Sequence, residues 1–166
     1  MGKPVPVRVR PSAPFLNKLF GERGLLGERE AMNNEIRWKQ RFQNFEKASD
    51  VFQRRVGAYR LDSMDEGYQM ALVQAFEIVI ELSWKVLKDY LEEAGVQTLS
   101  TPKTVIRQAF QARLFHDAEI WMEALKMRNE TSHTYNLGVM GKVLDFIAGP
   151  FDLQLKELHH TLKQFL

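Results

Sequence analysis

The sequence predicts an all-α protein: an antiparallel, up-and-down bundle of four to five helices over residues 35–166, preceded by an N-terminal extension of residues 1–34. Three observations carry this prediction. From Ile36 onward apolar residues recur at steps of three and four, the spacing of one helical face. Beyond Pro14 only Pro102 and Pro150 remain, so little in the body interrupts regular helix. Residues that start and stop helices fall between the apolar stripes, and stripes of this kind are buried by packing against one another.

The extension holds Pro4, Pro6, Pro11 and Pro14 and the glycines of GERGLLGERE, a composition that predicts a flexible arm. A docking turn built from Phe15, Leu16, Leu19 and Phe20 is the sharper alternative. The first bundle helix is expected from Ile36, with Trp38, Phe42, Phe45, Ser49, Phe52 and Val56 on its inner face. A polar connection around Asp62 to Asp65 leads into a second helix from about Asp65 to Glu93, which Gly95 stops. Met70, Val73, Phe76, Ile80, Trp84, Leu87 and Leu91 form its inner stripe, and Ile78 and Val79 widen it enough for a second contact face. Trp84 and Trp121 are both expected in the core.

Thr101 before Pro102 is an N-cap with proline at the first helical position, and Val105, Ile106, Ala109, Phe110 and Leu114 continue inward as a third helix. Asp117 caps a fourth, with Ile120, Trp121, Ala124, Leu125 and Arg128 on one face or its edge. A last helical stretch runs through Val139, Val143, Leu144 and Ile147. Gly149 and Pro150 are expected to kink or interrupt it before Leu155, Leu158, Leu162 and Phe165.

Charge and composition narrow the function. The net charge is +2, of which the extension holds six basic and three acidic residues, leaving the body at −1. A protein gripping nucleic acid by counterion release needs a broad basic surface, so any RNA contact here should be local. No cysteine is present, which excludes disulfides and thiolate metal sites. No apolar run is long enough to span a bilayer, and the N-terminal residues lack the apolar core of a secretion signal. A cytoplasmic protein without a membrane partner is expected.

The most informative segment is RNETSHTY, residues 128–135, which carries the pattern R-x4-H-x-Y. Arg128 offers a permanent cation for a phosphate, His133 moves protons near neutral pH, and Tyr135 supplies a phenol. Together they suit metal-free RNA cleavage. The imidazole would deprotonate a ribose 2′-hydroxyl, the guanidinium would hold the attacked phosphodiester, and a 2′,3′-cyclic phosphate would result. Asn129 and Thr131 or Ser132 could add hydrogen bonds. On an ideal helix five residues turn about 140° net, so Arg128 and His133 do not share a face. Either the helix bends near Thr131 and Ser132, or two copies of the chain bring paired arginines and histidines together.

Other assignments compete. Arg128 and His133 could simply satisfy carbonyls at a helix end, and Tyr135 could be a packed ring. Glu77 and Glu81 lie one turn apart, with Lys85 the ordinary partner for Glu81. The spacings Glu130–His133 and Glu157–His160 match the ligand pairs of diiron bundles, with Glu46 and Glu77 or Glu81 as further carboxylates, but the second pair follows the Pro150 break. His116, His159 and His160 are expected at the surface.

RNETSHTY resembles the R-x4-6-H signature of HEPN domains, and specifically the R-x4-H-x-Y form of HepT toxins. Around it, IRWKQRFQNFEKA at 36–48, AFEIVIELSWKVLKDYLEEAG at 75–95, STPKTVIRQAF at 100–110 and IWMEALKMRNETSHTYN at 120–136 look like successive blocks of nucleotidyltransferase substrate-binding proteins. The resemblance covers residues 35–166. It implies a homodimer with the motif at the interface and a small partner nucleotidyltransferase of the MntA type. It also implies ribonuclease activity carried by Arg128 and His133, and silencing by AMP groups that the partner attaches to Tyr135, using its own ATP and Mg²⁺. The chain itself would need no cofactor. An older reading of the same family makes it a non-catalytic subunit that helps a nucleotidyltransferase bind its substrate.

Overall fold

A computed structural model describes the backbone of residues 25–96, 100–131 and 137–166, and the side chains of residues 37–96, 100–130 and 140–166. The architecture is the expected all-α bundle. Its elements are α1 (Leu25–Leu61), α2 (Glu66–Glu93), α3 (Pro102–Gln111), α4 (Ala118–Thr131), α5 (Leu137–Phe146), a π-helical turn (Ile147–Phe151) and α6 (Asp152–Lys163).

Helix α1 starts at Leu25, well before Ile36, and takes in the end of the segment expected to be a loose arm. The prolines of that segment all precede it, and Gly27 costs only about 1 kcal/mol within a run of good helix formers such as Glu28, Arg29, Glu30, Ala31 and Met32. Residues 1–24, including Phe15, Leu16, Leu19 and Phe20, lie outside the described residues. The stripe itself is as predicted: Trp38, Phe42, Phe45, Phe52 and Val56 are buried.

Asp65 caps α2, its carboxylate accepting from the Tyr68 amide at 2.8 Å. At the other end Gly95 takes the left-handed conformation, φ 93°. The Gly95 and Val96 amides then return to the Glu92 and Leu91 carbonyls, which closes the helix as a Schellman motif. The same closure ends α3, but with Arg113 in the left-handed position, φ 57°. A β-carbon is strained there, so Arg113→Gly is expected to raise stability by about 0.5–1 kcal/mol, measurable by urea titration. Thr101 caps α3 ahead of Pro102, and the Asp117 carboxylate caps α4 by accepting from the Glu119 and Ile120 amides.

Pro150 does not break the last helix. The chain widens into a π turn that accommodates the missing proline N–H and the bulk of its ring, and helix continues on both sides. Arg60 of α1 reaches this turn, donating to the Ala148 carbonyl and, at 3.1 Å, to Asp152. Asp152 is buried and also takes Lys156 at 2.8 Å and Gln53 at 2.6 Å. Its replacement by alanine is expected to cost about 1–3 kcal/mol in a denaturant melt, because these donors lose their shared acceptor.

Helix α1 runs antiparallel to α2, with Arg37 and Arg41 in its first half paired to the buried Asp89 near the end of α2. It also runs antiparallel to α6, with Gln53 against Asp152 and Glu46 against His159 and Lys163. The centre of the core is Phe151, whose ring meets Phe76 at 5.0 Å, Trp121 at 5.5 Å and Phe52 at 5.7 Å between centroids.

Several expected inner residues face outward. Met70 is 73% exposed and Phe110 44%, each at the margin of its stripe and left open by the described residues. Ile78 is exposed too, whereas Val79 is buried within the chain. His160 is exposed as expected, whereas His159 is half-buried: its ring stacks on Phe42 and its Nε2 lies 3.3 Å from Glu46. His116, although exposed, pairs with Glu157 of α6. No helix among the described residues is long and apolar enough to cross a membrane.

Candidate functional site

The last described turn of α4 brings Arg128 and Asn129 to the wall of a cleft of about 290 Å³. Three helices build it. Ile80, Glu81 and Trp84 come from α2, Thr101, Pro102 and Lys103 from the start of α3, and Leu125, Arg128 and Asn129 from α4. Leu125 lies one turn before Arg128, so the anchoring of α4 by its buried residues Trp121, Ala124 and Leu125 fixes where the guanidinium emerges.

Glu81 organises the cleft. Its carboxylate accepts from the Trp84 indole N–H at 2.9 Å and from Lys85 at 2.8 Å, and lies 3.3 Å from an Arg128 guanidinium nitrogen. The other terminal nitrogen of Arg128 is 3.5 Å from the Asn129 side-chain oxygen. Burial pushes the Glu81 carboxyl up, but the Lys85 and Trp84 hydrogen bonds and the Lys85 and Arg128 charges outweigh it and hold the group below its ordinary value. A lowered carboxyl stabilises the fold above the ordinary carboxylate range, and this contribution disappears as pH falls through the lowered value. Melting temperatures taken from about pH 7 down to about pH 3 should therefore fall less steeply for Glu81→Gln than for the natural chain.

The sequence-predicted site residues separate into two groups. Arg128 and Asn129 stand in the cleft, whereas Ser132, His133 and Tyr135 lie outside the described residues. Lys85 is the partner expected for Glu81, but Glu81 also reaches across to Arg128, a link between residues 47 apart. Trp84, expected in the core, is a half-buried wall of the cleft, whereas Trp38 and Trp121 are fully buried. Lys103 was not singled out by the sequence, where it is only the residue after Pro102. The carboxylates considered for a diiron centre point to separate partners: Glu81 to Arg128, Glu46 to Lys163 and His159, and Glu157 to His116. Among the described residues no three His, Asp or Glu side chains converge as metal ligands.

Residues 40–164 match the family described as nucleotidyltransferase substrate binding protein like. Over 83 residues, 45% of this chain, the sequence is 34% identical to a protein of Haemophilus influenzae named a probable ribonuclease HepT. The match spans 57% of the length of that curated relative. The helical bundle, the RNETSHTY segment, whose first four residues close α4, and the family match over most of the chain agree, and the chain belongs to the HepT-like, nucleotidyltransferase substrate-binding family.

Proposed function

We propose that the chain is a metal-independent endoribonuclease of the HepT type, the toxin of a toxin–antitoxin pair, acting as a homodimer. The observation that carries this reading is the position of Arg128, held in a three-helix cleft by Glu81 five residues before His133. In the proposed reaction His133 takes the proton from a ribose 2′-hydroxyl, the 2′-oxygen attacks the adjacent phosphorus, and the bond to the 5′-oxygen breaks. That oxygen leaves with a proton returned by the imidazolium or taken from water, and the product end is a 2′,3′-cyclic phosphate. Arg128 carries the charge that develops on the phosphoryl oxygens, and Asn129 and Ser132 add hydrogen bonds. The chain uses no cofactor of its own.

Control falls to a nucleotidyltransferase partner of the MntA type, consistent with the family description. The Tyr135 phenol oxygen attacks the α-phosphorus of ATP on the partner, assisted by Mg²⁺, and pyrophosphate leaves. The attached AMP puts negative charge where RNA phosphate must bind. Incubation with such a partner, ATP and Mg²⁺ is expected to raise the mass of the chain in AMP steps, and Tyr135→Phe to abolish the gain. The deciding assay is RNA cleavage in chelator by the natural chain against His133→Ala. No cleavage by the natural chain, together with a stable complex with the nucleotidyltransferase, would favour the second reading, a substrate-binding subunit, which the family description itself suggests.

A further inference from the structure

The cleft beside Arg128 holds more than one cation needs. Lys103, at the start of α3, lines the same space from a different helix. That start is the positive end of a helix ten residues long, so backbone dipoles add to the two side-chain charges. The body of the chain has a net charge of −1, yet this cleft gathers Lys103 and Arg128 around a single carboxylate, with Lys85 on its far side. Ile80, Pro102 and Leu125 supply apolar wall between those charges.

Trp84 gives the cleft a second chemistry. Its indole N–H is committed to Glu81 and the Lys85 ammonium lies over the ring, 5.7 Å from the centroid, so what it offers a ligand is the ring surface that these leave uncovered. Cations alone would suit any anion. Cations beside a tryptophan suit a phosphate joined to a flat base, and the cleft is about the size of one nucleotide. Arg128 is the group assigned to the scissile phosphate, so a nucleotide seated beside it is the next unit along the same chain.

We propose that the cleft is a subsite for one nucleotide of an RNA chain, next to the scissile bond, with Lys103 and Arg128 on a backbone phosphate and Trp84 against the base. This rests on the ribonuclease reading for the identity of the chain. Lys103 and Trp84 are binding residues only, whereas Arg128 serves both the subsite and the scissile phosphate.

The test separates the subsite from the chemistry by using a short 2′-deoxyoligonucleotide, which lacks the attacking hydroxyl and cannot be cut. Its affinity for the intact chain is read by calorimetry and by tryptophan quenching, Trp84 being the tryptophan that is not fully buried. Lys103 is exposed, so Lys103→Ala should fold normally and bind about tenfold more weakly, which equals about 1.4 kcal/mol. Trp84→Ala should weaken binding by a similar factor, while Trp84→Phe, which keeps an aromatic face, should stay within about threefold of the natural chain. Lys47→Ala removes the same charge from an exposed position that does not line the cleft, and should leave affinity unchanged.

Oligonucleotide binding that ignores Lys103→Ala and Trp84→Ala would overturn the subsite, even if RNA cleavage is confirmed. AMP bound as tightly as the oligonucleotide would also overturn it, since a free mononucleotide would then be the better ligand. In the opposite case, cleft-dependent oligonucleotide binding by a chain that does not cut RNA would remove the ribonuclease reading and leave the subsite standing.

Discussion

Replacing His133 by alanine is expected to lower metal-free RNA cleavage by about 10²–10⁴-fold, the usual worth of a positioned general base. A ribose hydroxyl is a poor nucleophile until its proton is taken, and imidazole is the side chain whose ordinary pKa suits that task near pH 7. The loss should be read as a rate at saturating RNA in chelator, with helicity and oligomeric state measured beside it. The natural chain should also gain rate as pH rises through the imidazole range, and the variant should lose this dependence. Undiminished cleavage by His133→Ala would end the assigned role. Arg128→Ala should lose about 10²–10³-fold by a different route, through charge stabilisation at the phosphorus. Arg128→Lys should restore little of it, because an ammonium cannot make the paired, planar contact of a guanidinium.

The second large effect concerns the fold. Phe151→Ala is expected to cost about 3–5 kcal/mol, because a large ring is removed from a site that cannot collapse. Phe151 is fully buried, and four aromatic rings surround it, from Phe52, Phe76, Trp121 and Phe146. Those rings come from α1, α2, α4 and α5, so one residue in the π turn ties together most of the bundle. For a chain of this size the melting temperature should fall by roughly 10 °C or more. A fall of only a degree or two would mean that the π turn is not the centre of the core. Phe151→Leu should recover much of the loss, since most of the buried volume is kept.

How much of this was legible beforehand depended on whether the signal was local. The starts of α2, α3 and α4 and the close of α2 were readable because Asp65, Thr101 with Pro102, Asp117 and Gly95 act on amides and carbonyls within a few residues. The inner stripes were readable because hydropathy repeats with the helix. The start of α1 was missed because Gly27 weighs against helix locally while the run after it favours one. At Pro150 the sequence signals a disturbance, and the width of the backbone turn that absorbs it depends on the surrounding core.

The site divides along the same line. The sequence by itself determined an all-α bundle and the family, and it singled out Arg128 as a candidate phosphate-binding group, because helix period, caps and the RNETSHTY spacing are all written within short stretches. Only the tertiary structure decided that Glu81 meets Arg128, that Trp84 leaves the core to line a cleft, and that Lys103 stands with them. It likewise decided that Asp89 and Asp152 are buried against arginines from α1. The physical reason is that a charged or polar side chain is placed by partners distant in sequence. Periodicity reports which face of a helix turns inward, but not which residue of another helix will meet it.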